Sequence, residues 1–103
     1  MKMFKEDGKT AVLVSPGFGA GFSTWNKPEM AVDFDLVEAF LSGDKTRFAY
    51  IVNEKYNEDD NLYLGGMDNL VVQWVDEGKK FRIEEYDGRE SLEVFDEEVW
   101  FTA

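Results

Sequence analysis

The stretch Thr10-Ala11-Val12-Leu13-Val14-Ser15-Pro16-Gly17-Phe18-Gly19-Ala20-Gly21-Phe22-Ser23-Thr24-Trp25 decides how the chain folds. Its first six residues are an apolar, β-branched run that follows a turn at Asp7-Gly8 and stops at Pro16. They predict a short strand over 10–15, buried on both faces. Residues 16–28 then carry three Gly, two Pro and three aromatic rings among polar side chains, which is loop chemistry over about a dozen positions. Loops that long are uncommon without a purpose.

Beyond the loop, Met30, Ala31, Phe34, Val37, Phe40 and Leu41 recur at spacings of three and four. They predict a helix that starts at Pro28, where proline fits a first turn, and ends at Gly43. A second helical pattern spans residues 45–56, with Phe48, Ile51, Val52 and Tyr56 on one face; its β-branched residues would also suit a strand. After Gly65 and Gly66 the period changes to two. Runs at 70–75, 80–86 and 90–95, separated by Asp76-Glu77-Gly78 and Asp87-Gly88, predict a three-stranded antiparallel meander. Val99-Trp100-Phe101 is expected to add a short strand or to cover the core. The expected fold is therefore α+β in one domain over 1–103: an N-terminal strand, a Gly-rich loop, two helices, then the meander in a mixed or antiparallel sheet.

With 103 residues, the chain can hide roughly 60–70% of its unfolded surface, enough for one core. Nine Phe, four Tyr and three Trp supply the bulk for it and argue against disorder despite a net charge of −11. The absence of Cys and His removes disulfides, thiol nucleophiles, the usual general base and the commonest zinc ligands. No cofactor, metal site or catalytic residue is expected, and covalent catalysis by Ser15, Ser23 or Thr24 lacks an activating partner. Charge is unevenly placed: residues 1–53 carry 7 acids and 6 bases, whereas residues 54–103 carry 15 acids and 5 bases. So acidic a second half should be repelled by nucleic acid and by anionic membranes. No apolar run is long enough to span a bilayer and the first residues lack a signal-peptide core, so a cytoplasmic location is expected.

The loop is the candidate ligand site. Alternating glycines allow positive φ and close approach, and successive amides can form a nest for an anion between a strand and a helix. The pattern is neither a Walker loop nor a dinucleotide fingerprint. Phe18, Phe22 and Trp25 either stack a flat ligand, at about 1–3 kcal/mol per stacked base, or plug into the core. The expected binding set is Ser15, Gly17, Phe18, Gly19, Gly21, Phe22, Ser23 and Trp25, completed by Gly65 and Gly66. A second candidate is an acidic partner surface at Glu84, Glu85, Asp87 and Glu90; equally, Asp87-Gly88 is a good hairpin turn flanked by ordinary surface pairs. Asp59-Asp60 and Asp96-Glu97-Glu98 lack the alternation of a calcium loop and are expected to be solvated.

In Ser15-Pro16-Gly17-Phe18-Gly19-Ala20-Gly21 with Trp25, in Tyr63-Leu64-Gly65-Gly66 with Asp68 and Leu70, and in Phe81-Arg82-Ile83-Glu84-Glu85-Tyr86-Asp87-Gly88 with Glu90-Ser91, the chain resembles a group of small tailed-bacteriophage proteins. The resemblance implies synthesis inside an infected bacterium and an accessory role by binding, of which inhibition of host defence is one form. Two functions follow as expectations. The first is a non-enzymatic protein that sequesters a small nucleotide-like ligand or defence signal in the loop. The second is an acidic inhibitor that occupies a nucleic-acid-binding groove of a basic host protein. A carboxylate-based hydrolase and self-association into a homo-oligomer are the remaining readings.

Overall fold

The computed structural model describes residues 2–17, 19, 21–57, 62 and 65–95. The short strand β1 (Lys5–Glu6) turns at Asp7-Gly8, both with positive φ, into β2 (Lys9–Val14). β2 pairs antiparallel with β1 on one side and with β3 (Val71–Asp76) on the other. Because side chains alternate across a strand, Ala11 and Leu13 enter one apolar cluster and Val12 and Val14 another. Five consecutive buried positions, Thr10 through Val14, show that β2 is covered on both faces, as its unbroken apolar run predicts.

One cover is helical. A one-turn 3₁₀ helix (Pro28–Ala31) precedes α1 (Phe34–Leu41), which is followed by α2 (Lys45–Tyr56). Leu36, Val37 and Ala39 of α1 and Phe48, Ile51, Val52 and Tyr56 of α2 are buried against Ala11, Leu13 and Phe22. The helix expected to run unbroken from Pro28 is instead interrupted at Asp33, whose carboxylate accepts hydrogen bonds from the amides of Asp35 and Leu36 and so caps a new helix. Gly43, at φ +74°, ends α1 as its position implies.

The other cover is a hairpin. β4 (Lys80–Tyr86) and β5 (Arg89–Phe95) pair with each other around Asp87-Gly88, both at positive φ, as a separate two-stranded sheet. The expected three-stranded meander is thus corrected: its first strand, β3, joins β1 and β2, and only the last two form a hairpin. The reason lies in β2. Its Val12 and Val14 need an apolar lid, and the stripe Phe81, Ile83 and Leu92 supplies it together with Ala31, Val32 and Val75. A second 3₁₀ turn, Gly65–Asn69, leads into β3. The tail at 99–101 lies outside the described residues. Among those residues, no helix is long and apolar enough to cross a membrane.

Helix α2 is tied to α1 by a buried carboxylate. Asp33, 4% exposed, accepts hydrogen bonds from the Tyr56 hydroxyl and, at 3.2 and 3.4 Å, from Lys55 Nζ; Lys55 also reaches Asp35 at 2.8 Å. Burial pushes the Asp33 carboxyl up, but the bonds from Tyr56, the Leu36 amide and Lys55 outweigh it and hold it below the ordinary value of 3.8. Burial, then Asp33, raise Tyr56 above its ordinary 10.0, and the bond to Asp35 leads in raising Lys55 above 10.5.

The Asp33 contribution is present above pH 3.8 and is lost as pH falls through its lower folded value; those of Tyr56 and Lys55 are complete below 10.0 and 10.5 and are lost as pH rises. Asp33→Ala removes the cap and strands the phenol, so urea denaturation at pH 7 should show a loss of about 2–4 kcal/mol. Below about pH 4 the gap between the variant and wild type should narrow.

Candidate functional site

The loop after β2 folds around an anion, and the anion belongs to the chain itself. Glu90, 1% exposed, accepts hydrogen bonds from the Ser15 amide at 2.9 Å on Oε1 and, on Oε2, from the amides of Phe22 at 2.9 Å and Thr24 at 3.0 Å and from Thr24 Oγ1 at 2.5 Å. The Glu90 amide returns a bond to the Ser15 carbonyl at 2.8 Å, joining the start of the hairpin's second strand to the residue after β2. Burying a carboxylate costs several kcal/mol, and bonds to a charged acceptor are worth about 1.5–3 kcal/mol each. Four of them therefore offset the burial and satisfy loop amides that no ladder serves.

The hairpin tip grips the same loop a second time. The Trp25 indole donates to Glu85 Oε1 at 3.1 Å, the Gly88 amide donates to that oxygen at 2.7 Å, and the Gly19 amide donates to the Asp87 carbonyl at 2.8 Å. Gly88 and Trp25 hold the Glu85 carboxyl below the usual carboxylate range. Gly21 is required by contact: a Cβ there would stand 2.7 Å from Thr24 Oγ1 and from Trp25 Cδ1.

These contacts sort the expected site residues. Ser15, Phe22 and Ser23 are buried at 0, 0 and 2%, and the Phe22 ring lies 6.0 Å from that of Phe48, so Phe22 belongs to the core. The expectation that they line an open receptor is corrected by their burial and by the Glu90 carboxylate, which occupies the nest formed by the Ser15, Phe22 and Thr24 amides. Trp25 stays 39% exposed with its indole braced, and Gly19 is exposed. Gly17 packs beside Asn69 of the 3₁₀ turn that holds Gly65 and Gly66, so this turn and the loop do meet. Phe18 lies outside the described residues, as do Asp59, Asp60 and residues 96–98.

The expected acidic surface divides too. Opposed pairs share a face, so Glu85 and Glu90 lie on the inner side with Ile83 and Leu92, whereas Glu84 and Tyr86 point outward. Glu90 is a structural ligand and not a partner contact. Glu84 pairs with Arg82 at 2.7 Å on the outer face, where Tyr86 is 74% exposed. A period-two reading from Leu92 through Val94 would have placed Glu90 inward, and an Asp just before the helical pattern at Phe34 signals the Asp33 cap.

The other buried carboxylate also lines a cleft, of about 460 Å³, with Glu29, Asp35, Lys55 and Tyr56. Both Asp33 oxygens already accept hydrogen bonds, and Lys55 binds two carboxylates. The cluster is thus arranged to join helices. Among the described residues, no group of three or more acidic side chains is placed to hold a metal ion. Protein-family models, curated proteins and solved structures give no match to this chain.

Glu90→Gln keeps the shape but sets an amide donor against loop amides, and should lower stability by about 2–4 kcal/mol in urea denaturation. A loss below about 0.5 kcal/mol would show the clamp to be dispensable. Gly21→Ala should displace the Trp25 ring, shifting its fluorescence as isolated by difference from Trp25→Phe; an unaltered spectrum would contradict the packing.

Proposed function

We propose that this chain is a non-enzymatic accessory binding protein that docks the clamped hairpin tip on a basic protein surface, of the kind that binds nucleic acid. The observation that carries this reading is Tyr86, 74% exposed on the outer face of the hairpin with Glu84 and next to the turn residue Asp87, at a tip that the Trp25–Glu85 bond and buried Glu90 anchor from the inner face. Tyrosine is enriched among interface hot spots, which a polar rim surrounds. Pre-ordering by the clamp lowers the entropy lost on docking.

Its electrostatics favour a cationic partner. The second half of the chain carries ten more acids than bases, and steering by such a field accelerates association with a basic surface. The phage resemblance supports a host protein as that partner and the bacterial cytoplasm as the meeting place. Sequestration of a nucleotide-like anion by the loop finds less support, because the Ser15, Phe22 and Thr24 amides are engaged by Glu90, whose own charge opposes a phosphate.

The test is surface-based kinetics against a panel of purified bacterial nucleic-acid-binding proteins. Binding to a member of the panel should show an association rate that falls steeply between 50 and 300 mM salt, and Tyr86→Ser with Glu84→Gln and Asp87→Asn should weaken it at least tenfold at unchanged melting temperature. Affinity indifferent to both salt and these substitutions would remove the reading. Mononucleotides and cyclic dinucleotides are expected to give no heat on titration.

A further inference from the structure

The geometry points to a second binding site, for a small organic cation with a flat apolar body, in the cleft between the α1–α2 corner and the 3₁₀ turn Gly65–Asn69. The cleft holds about 270 Å³ and is floored by Phe40, Phe48, Met67 and Leu70. The Phe40 and Phe48 rings meet nearly edge to face, with centroids 6.5 Å apart. An apolar cavity of about 150 Å³ already accommodates benzene, so a single aromatic ring with a short chain fits here. Met67 adds a polarizable, adaptable wall.

The charged side chains of the lining set the sign of the ligand's charge. Asp68 and Asp44 line the cleft, the latter also capping α2 by accepting a hydrogen bond from the Arg47 amide at 2.9 Å. The C-terminal end of α1, whose Glu38, Ala39 and Phe40 carbonyls accept from the Ser42, Asp44 and Gly43 amides, and the N-terminal end of α2 meet at the same corner with opposed partial charges, which leaves the sign to the side chains. Lys45 is the opposing charge on the rim, and it lies in the first turn of α2, where an acid would suit the helix dipole better. An ammonium seated between the two carboxylates, with its ring against Phe40 and Phe48, gains both ion pairing and contact with aromatic faces. An anion of the same shape is favoured only by Lys45 and the N-terminal end of α2 and meets repulsion from both carboxylates. The site lies under the helices, whereas the hairpin covers the other face of β2, so it is independent of the docking surface proposed above.

Phenethylamine, protonated at pH 7, and the isosteric anion 3-phenylpropionate are the probes, each titrated into the ¹⁵N-labelled full chain and followed by NMR. The amine should bind in the millimolar range, shifting the amides of Phe40, Phe48, Met67 and Leu70, while the anion leaves them in place. Asp68→Asn should weaken amine binding about two- to fivefold, and Lys45→Glu should strengthen it by a similar factor, as for partly exposed charge pairs. Both substitutions are on the surface and leave the core intact. No response to the amine, an equal response to both probes, shifts centred elsewhere, or an affinity unmoved by either substitution overturns the assignment.

Discussion

The interaction on which this architecture depends is the buried carboxylate of Glu90 bound by three loop amides and a hydroxyl. A loop of a dozen residues leaving a doubly covered strand exposes backbone donors in a place where water is excluded. Some acceptor must meet them. The chain supplies one from 66 to 75 residues downstream, and in doing so fastens the hairpin to the strand it covers. The bond is therefore both local satisfaction and tertiary closure. Removing the acceptor leaves unsatisfied amides, and removing the loop leaves a buried charge.

Asp33 repeats this solution on the opposite face of the sheet. Its Oδ1 caps the start of α1 while its Oδ2 receives Lys55 and the Tyr56 hydroxyl from α2, so one side chain begins one element and holds another. In both places a carboxylate is taken out of water and fully engaged. Side chains that a search for acid–base chemistry would select are thereby committed to structure. The turn at the surface carries an exposed tyrosine and acidic groups.

Several elements were legible in the sequence because they rest on local chemistry. Lys45–Tyr56 forms the helix its apolar face predicts, with Phe48, Ile51, Val52 and Tyr56 buried. Asp7-Gly8 and Asp87-Gly88 turn as such pairs do, and Gly43 closes its helix. Of the candidate site, the loop and the tip motif were each visible as unusual strings. That they meet was not, since no local pattern records that Gly19 bonds Asp87 or that Glu85 braces Trp25.

The division follows from range. Period, turn residues and caps act over a few positions, so α2, the strand runs of β2 to β5, the Asp-Gly turns and the need to cover both faces of β2 were determined by the sequence alone, whereas β1 and the break at Asp33 were not. Whether the third strand run extended one sheet or began a second, whether Phe22 faced ligand or core, and whether Glu90 met solvent or amides depended on which distant surfaces came together. The tertiary structure decided these because burial reverses the cost of a charge: a carboxylate that would stay hydrated on an isolated hairpin becomes the best available partner once the loop closes over it.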